Sequence, residues 1–448
     1  LKPAAQLQTV IELIQMFERT LTGEAPAVPA DALLNQVFRA AKFIGSHDRR
    51  FLATNFYGIL RQYHALEWWV QQSPGAVVSA RLMVFAYRRL SAGVGLEQLE
   101  NLCDGVRYHP DPLDRQEHQV LKYIDQQAPR TRDGTVPLVP SMPLWVQGNC
   151  PEFILPSLQA QFGDTVLSVL HAQQQEAPLD IRINTLKATR DQVQQELMLA
   201  GIESQPTLYS PWGLRIDGRQ PLASLPSFKN GWFEVQDEGS QLIAMMVDAP
   251  PGATVLDYCA GAGGKTLALA ATMQNKGRVI AMDVSATRLK SAQQRLRRAG
   301  VSNAQAKLIE DASRSWMKRH HGFFDRVLVD APCSGSGTWR RNPDLRLRVS
   351  PAQLQELQAK QLGILTEAAS MVKSGGRLIY ATCSLFQEEN EHIIDAFLAQ
   401  RPEYQVMPIQ DLWPSLLTAS CPTTDQFLRT NPHQHGMDGF FTAVLVRR

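Results

Sequence analysis

The stretch Val255-Leu-Asp-Tyr-Cys-Ala-Gly-Ala-Gly-Gly-Lys-Thr266 decides the fold. Val255 and Leu256 read as the end of a buried strand; Asp257 follows, and after a turn of small residues the run Thr266–Met273 is helical. A strand that stops in a glycine turn and re-enters a helix aims backbone N–H groups and a helix N-terminus at one point, which suits a nucleotide-like ligand. Gly261, Gly263 and Gly264 let the backbone approach that ligand closely. A Walker phosphate loop would need glycine where Cys259 stands, and a dinucleotide fingerprint would need one where Thr266 stands. The spacing D-x-x-x-G-x-G from Asp257 to Gly263 is the turn used for S-adenosyl-L-methionine. It requires an acid at the end of the next strand, and Gly277-Arg-Val-Ile-Ala-Met-Asp283 supplies one.

Outward from this turn, strands Thr254–Leu256, Arg278–Met282, Ala306–Ile309, Asp325–Val329 and Gly376–Ala381 alternate with helices, and Gly439–Val446 is a closing strand. Such alternation gives a doubly wound, Rossmann-like α/β sheet over residues 237–448, with ligands beyond the carboxyl ends of its strands. Four acids stand at strand ends: Asp257, Asp283, Asp311 and Asp330. One such Asp is usually a helix N-cap. Four on one edge indicate a nucleoside, with Asp257 at the methionine end, Asp283 at the ribose and Asp311 at the adenine amino group.

Upstream, residues 143–236 combine short helices with strands at 180–185, 213–217 and 231–236, a small α+β, RRM-like domain expected to bind RNA. Its Arg182, Asn184 and Lys187 suit either a phosphate backbone or a merely exposed face. Residues 1–142 are helical and end in a proline-rich connection, Ala128–Pro143. Phe51, Leu52, Phe56, Leu60, Tyr63, Leu66 and Trp69 form a stripe expected to be bundle core.

The 448 residues, 44% hydrophobic and 20% charged, describe a globular chain of several domains. No uncharged apolar run reaches the ~18 residues of a membrane helix, and the amphipathic, acid-containing start is unlike a signal peptide. A cytoplasmic monomer without membrane contact is expected. None of the six cysteines forms C-x-x-C spacing, so neither a zinc site nor any other metal is expected. Net charge is only +2, but Arg288 to Arg348 holds 14 Lys/Arg against 5 Asp/Glu, which suits a polyanionic substrate. Within it, Arg288–Arg298 alone reads as a solvated helix face, whereas the charges of Trp339–Arg348 follow a candidate active-site strand directly.

Asp330-Ala-Pro-Cys-Ser334 and Ala381-Thr-Cys-Ser384 each place a cysteine just past a strand end. A thiol has a pKa of ~8.5 and needs a cationic or dipolar neighbour to ionise near neutrality; Lys265, the basic loop and helix N-termini are the candidates. A thiolate beside a methyl donor answers a specific difficulty. Carbon 5 of a pyrimidine is not nucleophilic until a nucleophile adds at carbon 6, and covalent catalysis divides that hard step in two. Asp330 is placed to bond ring nitrogen 3 and the amino edge of cytosine.

The motifs V-L-D-Y-C-A-G-A-G-G-K-T, D-R-V-L-V-D-A-P-C-S-G-S-G and L-I-Y-A-T-C-S-L-F-Q-E-E-N-E resemble those of the RNA 5-methylcytosine methyltransferases of the bacterial Sun/Fmu (RsmB) and NSUN group. The resemblance covers residues 143–448, and R-R-F-L-A-T-N-F-Y-G-I-L-R loosely resembles the NusB-like RNA-binding domain of that branch. It implies a class I methyltransferase acting on structured RNA, most often 16S ribosomal RNA. Cys383 would be the nucleophile and Cys333 would assist product release, with Asp330 and Lys265 at the reacting base. The cofactor set would be Asp257, Cys259, Ala260, Gly261, Ala262, Gly263, Gly264, Lys265, Asp283, Arg288, Asp311 and Asp330. The family turn is usually C-A-A-P-G-G-K; here Gly261 and Ala262 replace Ala-Pro, so a rigidifying proline is lost while no catalytic side chain changes. Three alternatives stand beside this one: Cys333 as nucleophile, as in DNA cytosine methyltransferases; tRNA as substrate; and a non-catalytic RNA-binding assembly factor.

Overall fold

The computed structural model describes residues 1–129, 131, 134–218, 220–310, 313–417 and 419–448. Asp311, expected at the adenine, and Arg130, Arg132 and Asp133 of the proline-rich connection lie outside the described residues. Contacts divide the chain into two compact units, Leu1–Gln175 with Trp339–Ser350, and Glu176–Thr338 with Pro351–Arg448.

The first unit is helical. Pro3–Thr22 buries Leu7, Val10, Ile11, Ile14 and Phe17, the spacing of one helix face. The apolar stripe of residues 51–69 spans two helices, Ser46–Arg61 and Tyr63–Gln71, broken at Gln62; Leu52, Phe56, Leu60, Leu66 and Trp69 are buried in the common core, as expected. Side chains start later helices: Ser79 accepts from the Leu82 N–H, and Asp114 and Glu117 form a reciprocal capping box ahead of Arg115–Gln127. The short helices Leu144–Gln147, Leu155–Phe162 and Val166–Ala172 make their contacts within this unit.

The expectation that Trp339–Arg348 offers its charges to a polyanion is corrected. The segment is part of the helical unit, and Arg346 is 0% exposed. Its guanidinium donates to the backbone carbonyls of Gln173 at 2.8 Å and Asn149 at 3.2 Å and lies over the Trp339 ring. Arg348 donates to Thr20 Oγ1 at 3.0 Å and to the Val28 carbonyl at 2.6 Å, and pairs with Asp344. Arg340 is buried as well. These cations satisfy main-chain acceptors left over where helices end, a demand no local pattern displays.

The second unit begins with an antiparallel sheet of order β2-β3-β1-β4: β1 Leu179–Ile183, β2 Ser204–Pro206, β3 Gly213–Ile216 and β4 Phe233–Val235. Arg182 and Asn184 are buried, Lys187 is exposed, and all three bond within the fold. Burial lowers Arg182 to about 10, and it donates to Gln236 Oε1. Asn184 donates to the carbonyls of Gly231 and Ala299, and Lys187 to those of Asn230 and Arg298, so both tie the small sheet to the helix Ala286–Ala299.

The larger sheet contains β5 Thr254–Asp257, β6 Arg278–Asp283, β7 Ala304–Leu308, β8 Phe324–Asp330, β9 Val372–Thr382, β10 Tyr404–Met407, β11 Leu428–Arg429 and β12 Phe441–Arg447. Its order is β10-β12-β9-β8-β5-β6-β7, with β11 beside β12. β5 to β9 run parallel, and β12 and β10 close the edge antiparallel. The Rossmann-like expectation holds. β5 lies centrally between β6 and β8, where the strand order reverses, so its carboxyl end opens at the switch point.

Candidate active site

The turn after β5 is built for close approach. Gly261 has φ 54° and Gly263 φ 80°, left-handed conformations that glycine adopts without strain. Gly263 is the N-cap of the helix Gly264–Thr272, and a Cβ on it would meet Ala292 at 3.0 Å. The turn is gripped from two sides. Asp283 at the end of β6 accepts from the Gly261 N–H at 2.8 Å and from the Ser285 N–H at 2.8 Å. Arg295 donates to the Ala262 carbonyl at 2.8 Å while bonding Glu234 of β4. The face of the helix Ala286–Ala299 that carries Arg295 and Arg298 is therefore structural, not merely solvated; Arg298 pairs with Glu234 and stacks over Phe228.

Beyond the strand ends lies a cavity of about 570 Å³. It is lined by Asp257, Cys259, Ala260, Gly261, Ala262, Gly264, Lys265, Asp283, Arg288 and Asp330 of the expected set, but not by Gly263. Asp257 is fully buried. Its Oδ2 accepts from Thr266 Oγ1 at 2.6 Å, and its Oδ1 has no hydrogen-bond partner. Burial, opposed by the Thr266 bond and reinforced by Asp330, pushes its carboxyl up to about 7. A buried acceptor without a partner, a second strand-end carboxylate, a glycine cradle and the apolar Ile309, Pro332 and Ile364 together fit a nucleoside carrying a cationic tail.

Sequence reasoning missed one wall. Lys360, Ile364 and Glu367 of the helix Pro351–Ala369 line the cavity, and Glu367 accepts from the Tyr258 hydroxyl at 2.5 Å. Their i, i+4, i+7 spacing marks a common face, but a helix face does not name what it covers. Gln236 and Ser240 of the small-domain junction line it too.

Lys265 Nζ donates to Asp330 Oδ2 at 2.6 Å. Burial alone would lower the lysine pKa, but the attraction of Asp330 prevails and raises it, so the ammonium persists. β8 and β9 are neighbours, with Asp330 opposite Ala381, and this pairing carries the two cysteine turns side by side. Cys333 Sγ and Cys383 Sγ are 3.4 Å apart. The hydrogen bond with Cys383 and then burial push the Cys333 thiol well above its ordinary value. Both cysteines are half-buried and neither lines the cavity, whereas Asp330 and Pro332, just before Cys333, do. Cys259 lines the cavity, but burial, followed by the carboxylates around it, raises its pKa and keeps it a neutral thiol.

Comparison with known proteins agrees with this geometry. Residues 244–446 match the family described as 16S rRNA methyltransferase RsmB/F, and residues 150–223 match the ferredoxin-like domain of RsmF/B-like methyltransferases. A probable ribosomal RNA small subunit methyltransferase B from Synechocystis is 32% identical over 429 residues, covering 89% of this chain and 91% of the relative. The crystal structure of PH0851 superposes with a TM-score of 0.75 at 27% identity, covering 100% of this chain and 99% of that one. A methyltransferase homolog protein from Pyrococcus horikoshii gives 0.59 at 26% identity, over 69% of this chain and 100% of that one.

Proposed function

The chain belongs to the RsmB/F family of RNA methyltransferases, which use S-adenosylmethionine, and from that premise we propose that it methylates carbon 5 of a cytosine in 16S ribosomal RNA through a transient bond from Cys383. The observation that carries this reading is the pair of sulfurs 3.4 Å apart beside the Lys265–Asp330 ion pair. Asp257 and Asp283 would hold the amino group and ribose of the cofactor, with Gly261 and Gly264 giving it room. Bound S-adenosylmethionine supplies an electrophilic methyl group.

The chain's own groups do the rest. Cys383 adds as thiolate to carbon 6 of the base, and the electron pair displaced toward carbon 5 makes that atom a nucleophile. The Lys265–Asp330 pair meets the edge of the base: the Asp330 carboxylate accepts from the exocyclic amino group, and the Lys265 ammonium donates toward nitrogen 3, where negative charge develops during the addition. In this reading Cys333 is the thiol partner, and its S–H donates to the sulfur of Cys383, 3.4 Å away. When the carbon 5 proton leaves to water and the carbon 6–sulfur bond breaks, that S–H stabilises the departing thiolate.

The test is methylation of 16S ribosomal RNA with methyl-labelled S-adenosylmethionine, followed by digestion to nucleosides. Label in 5-methylcytidine supports the reading, and label in any other nucleoside overturns it.

A further inference from the structure

The E-E-N run that follows the second cysteine motif has no part in the mechanism so far. Glu389 is 0% exposed, and its carboxylate accepts from four neutral donors. Oε1 takes the Ser334 N–H at 2.8 Å and Gln361 Nε2 at 3.0 Å; Oε2 takes the hydroxyls of Ser334 and Ser384, each at 2.5 Å. Ser334 directly follows Cys333, and Ser384 directly follows Cys383. Gln361 also donates to the Pro332 carbonyl at 3.0 Å, so the first cysteine turn is held on both sides. The next residue, Asn390, accepts from Thr382 Oγ1 and donates to the Ser384 carbonyl, bracketing Cys383 in the same way.

A buried carboxylate among neutral donors is a costly choice for packing alone, since taking a charge out of water is repaid only by close to full hydrogen bonding. Here three of the four bonds come from Ser334 and Ser384, the residues that follow the two cysteines, and the fourth donor, Gln361, also holds the Pro332 carbonyl. We propose that Glu389 is a positioning residue of the site, clamping the Cys333 and Cys383 turns together through Ser334 and Ser384 so that the sulfurs are held at reacting distance. This rests on the proposed roles of the two thiols.

The test uses the full-length protein in two assays. Without RNA, diamide removes two electrons and two protons from a thiol pair, and mass spectrometry times formation of the Cys333–Cys383 disulfide. With RNA, transfer of labelled methyl gives kcat and KM, whatever the product nucleoside. In Glu389→Ala and in Ser384→Ala the disulfide is expected to form about tenfold more slowly and kcat to fall about 100-fold, the cost of a roughly 1 Å misplacement. The KM for RNA and the dissociation constant of S-adenosylmethionine stay within about twofold, because no binding contact is removed. The double variant loses no more than the worse single one, since both break the same clamp. A disulfide that forms at the wild-type rate, or a slowed disulfide with full kcat, overturns the proposal. If Glu389→Ala gives no cooperative melt, Ser384→Ala, which lacks one hydroxyl, decides alone. A wild-type protein that makes no 5-methylcytidine refutes the cytosine reading, while the disulfide rate still decides the clamp.

Discussion

Cys333 and Cys383 come from turns 50 residues apart, yet their sulfurs are at hydrogen-bonding distance, 3.4 Å. The carboxyl ends of neighbouring parallel strands produce this contact. In the proposed roles Cys333 is the donor, so its loss is expected to spare bond formation and impair release. Cys333→Ala should form a covalent complex with 16S ribosomal RNA that survives denaturing electrophoresis and accumulates, with turnover close to zero. Cys383→Ala should form none and lose activity on the order of 10⁴-fold or more.

Asp257 gives a pH dependence of defined sign. Its folded-state carboxyl is raised to about 7, above the ~3.9 of an exposed aspartate. The protonated form is the one the fold favours, so its contribution to stability is complete below about pH 4 and lost as pH rises through about 7. Asp257→Asn, neutral at every pH, is expected to match the wild-type melting temperature near pH 4 and exceed it near pH 8 in the absence of ligand. The same change should weaken S-adenosylmethionine binding about tenfold or more, because a hydrogen bond to a charged acceptor contributes about 1.5–3 kcal/mol. Calorimetry at the two pH values checks both.

The Lys265–Asp330 pair, 2.6 Å apart, lines the cavity and is proposed to meet the reacting base. Asp330→Asn keeps the size of the side chain and removes the charge that meets the base. Single-turnover methylation is expected to slow about 10²–10³-fold, the usual cost of one electrostatic partner of the transition state.

Arg346 tests the helical unit. It is fully buried and donates to main-chain carbonyls of Asn149 and Gln173. Arg346→Met fills much of the space but leaves those acceptors without a donor, a loss of about 2–4 kcal/mol. A lower denaturant midpoint at unchanged affinity for S-adenosylmethionine is the expected result; an unchanged midpoint would mean the network contributes little.

The parallel strands and their acids were legible because each buried strand is a short apolar run ending in a polar turn, and Asp257, Asp283 and Asp330 stand where that pattern stops. The short β2 and β10 were not, since three or four residues at a sheet edge carry no periodicity. Charge misled twice, for one physical reason. Arg182 and Arg346 look like anion ligands in sequence, but each is buried against partners 54 or more residues away, and only the fold reveals unpaired carbonyls or amides. The motif around Glu389 does not reveal its role, because its four donors come from three separate segments.

The most direct measurement is a trap. A fluorine at carbon 5 cannot leave as a proton does, so 16S ribosomal RNA made with 5-fluorocytidine should halt the reaction after methyl transfer with the enzyme still attached. Peptide mass spectrometry of the wild-type complex is expected to show one methylated 5-fluorocytidine on Cys383. Attachment to Cys333, or methylation of ordinary RNA with no trapped complex at all, would contradict the account.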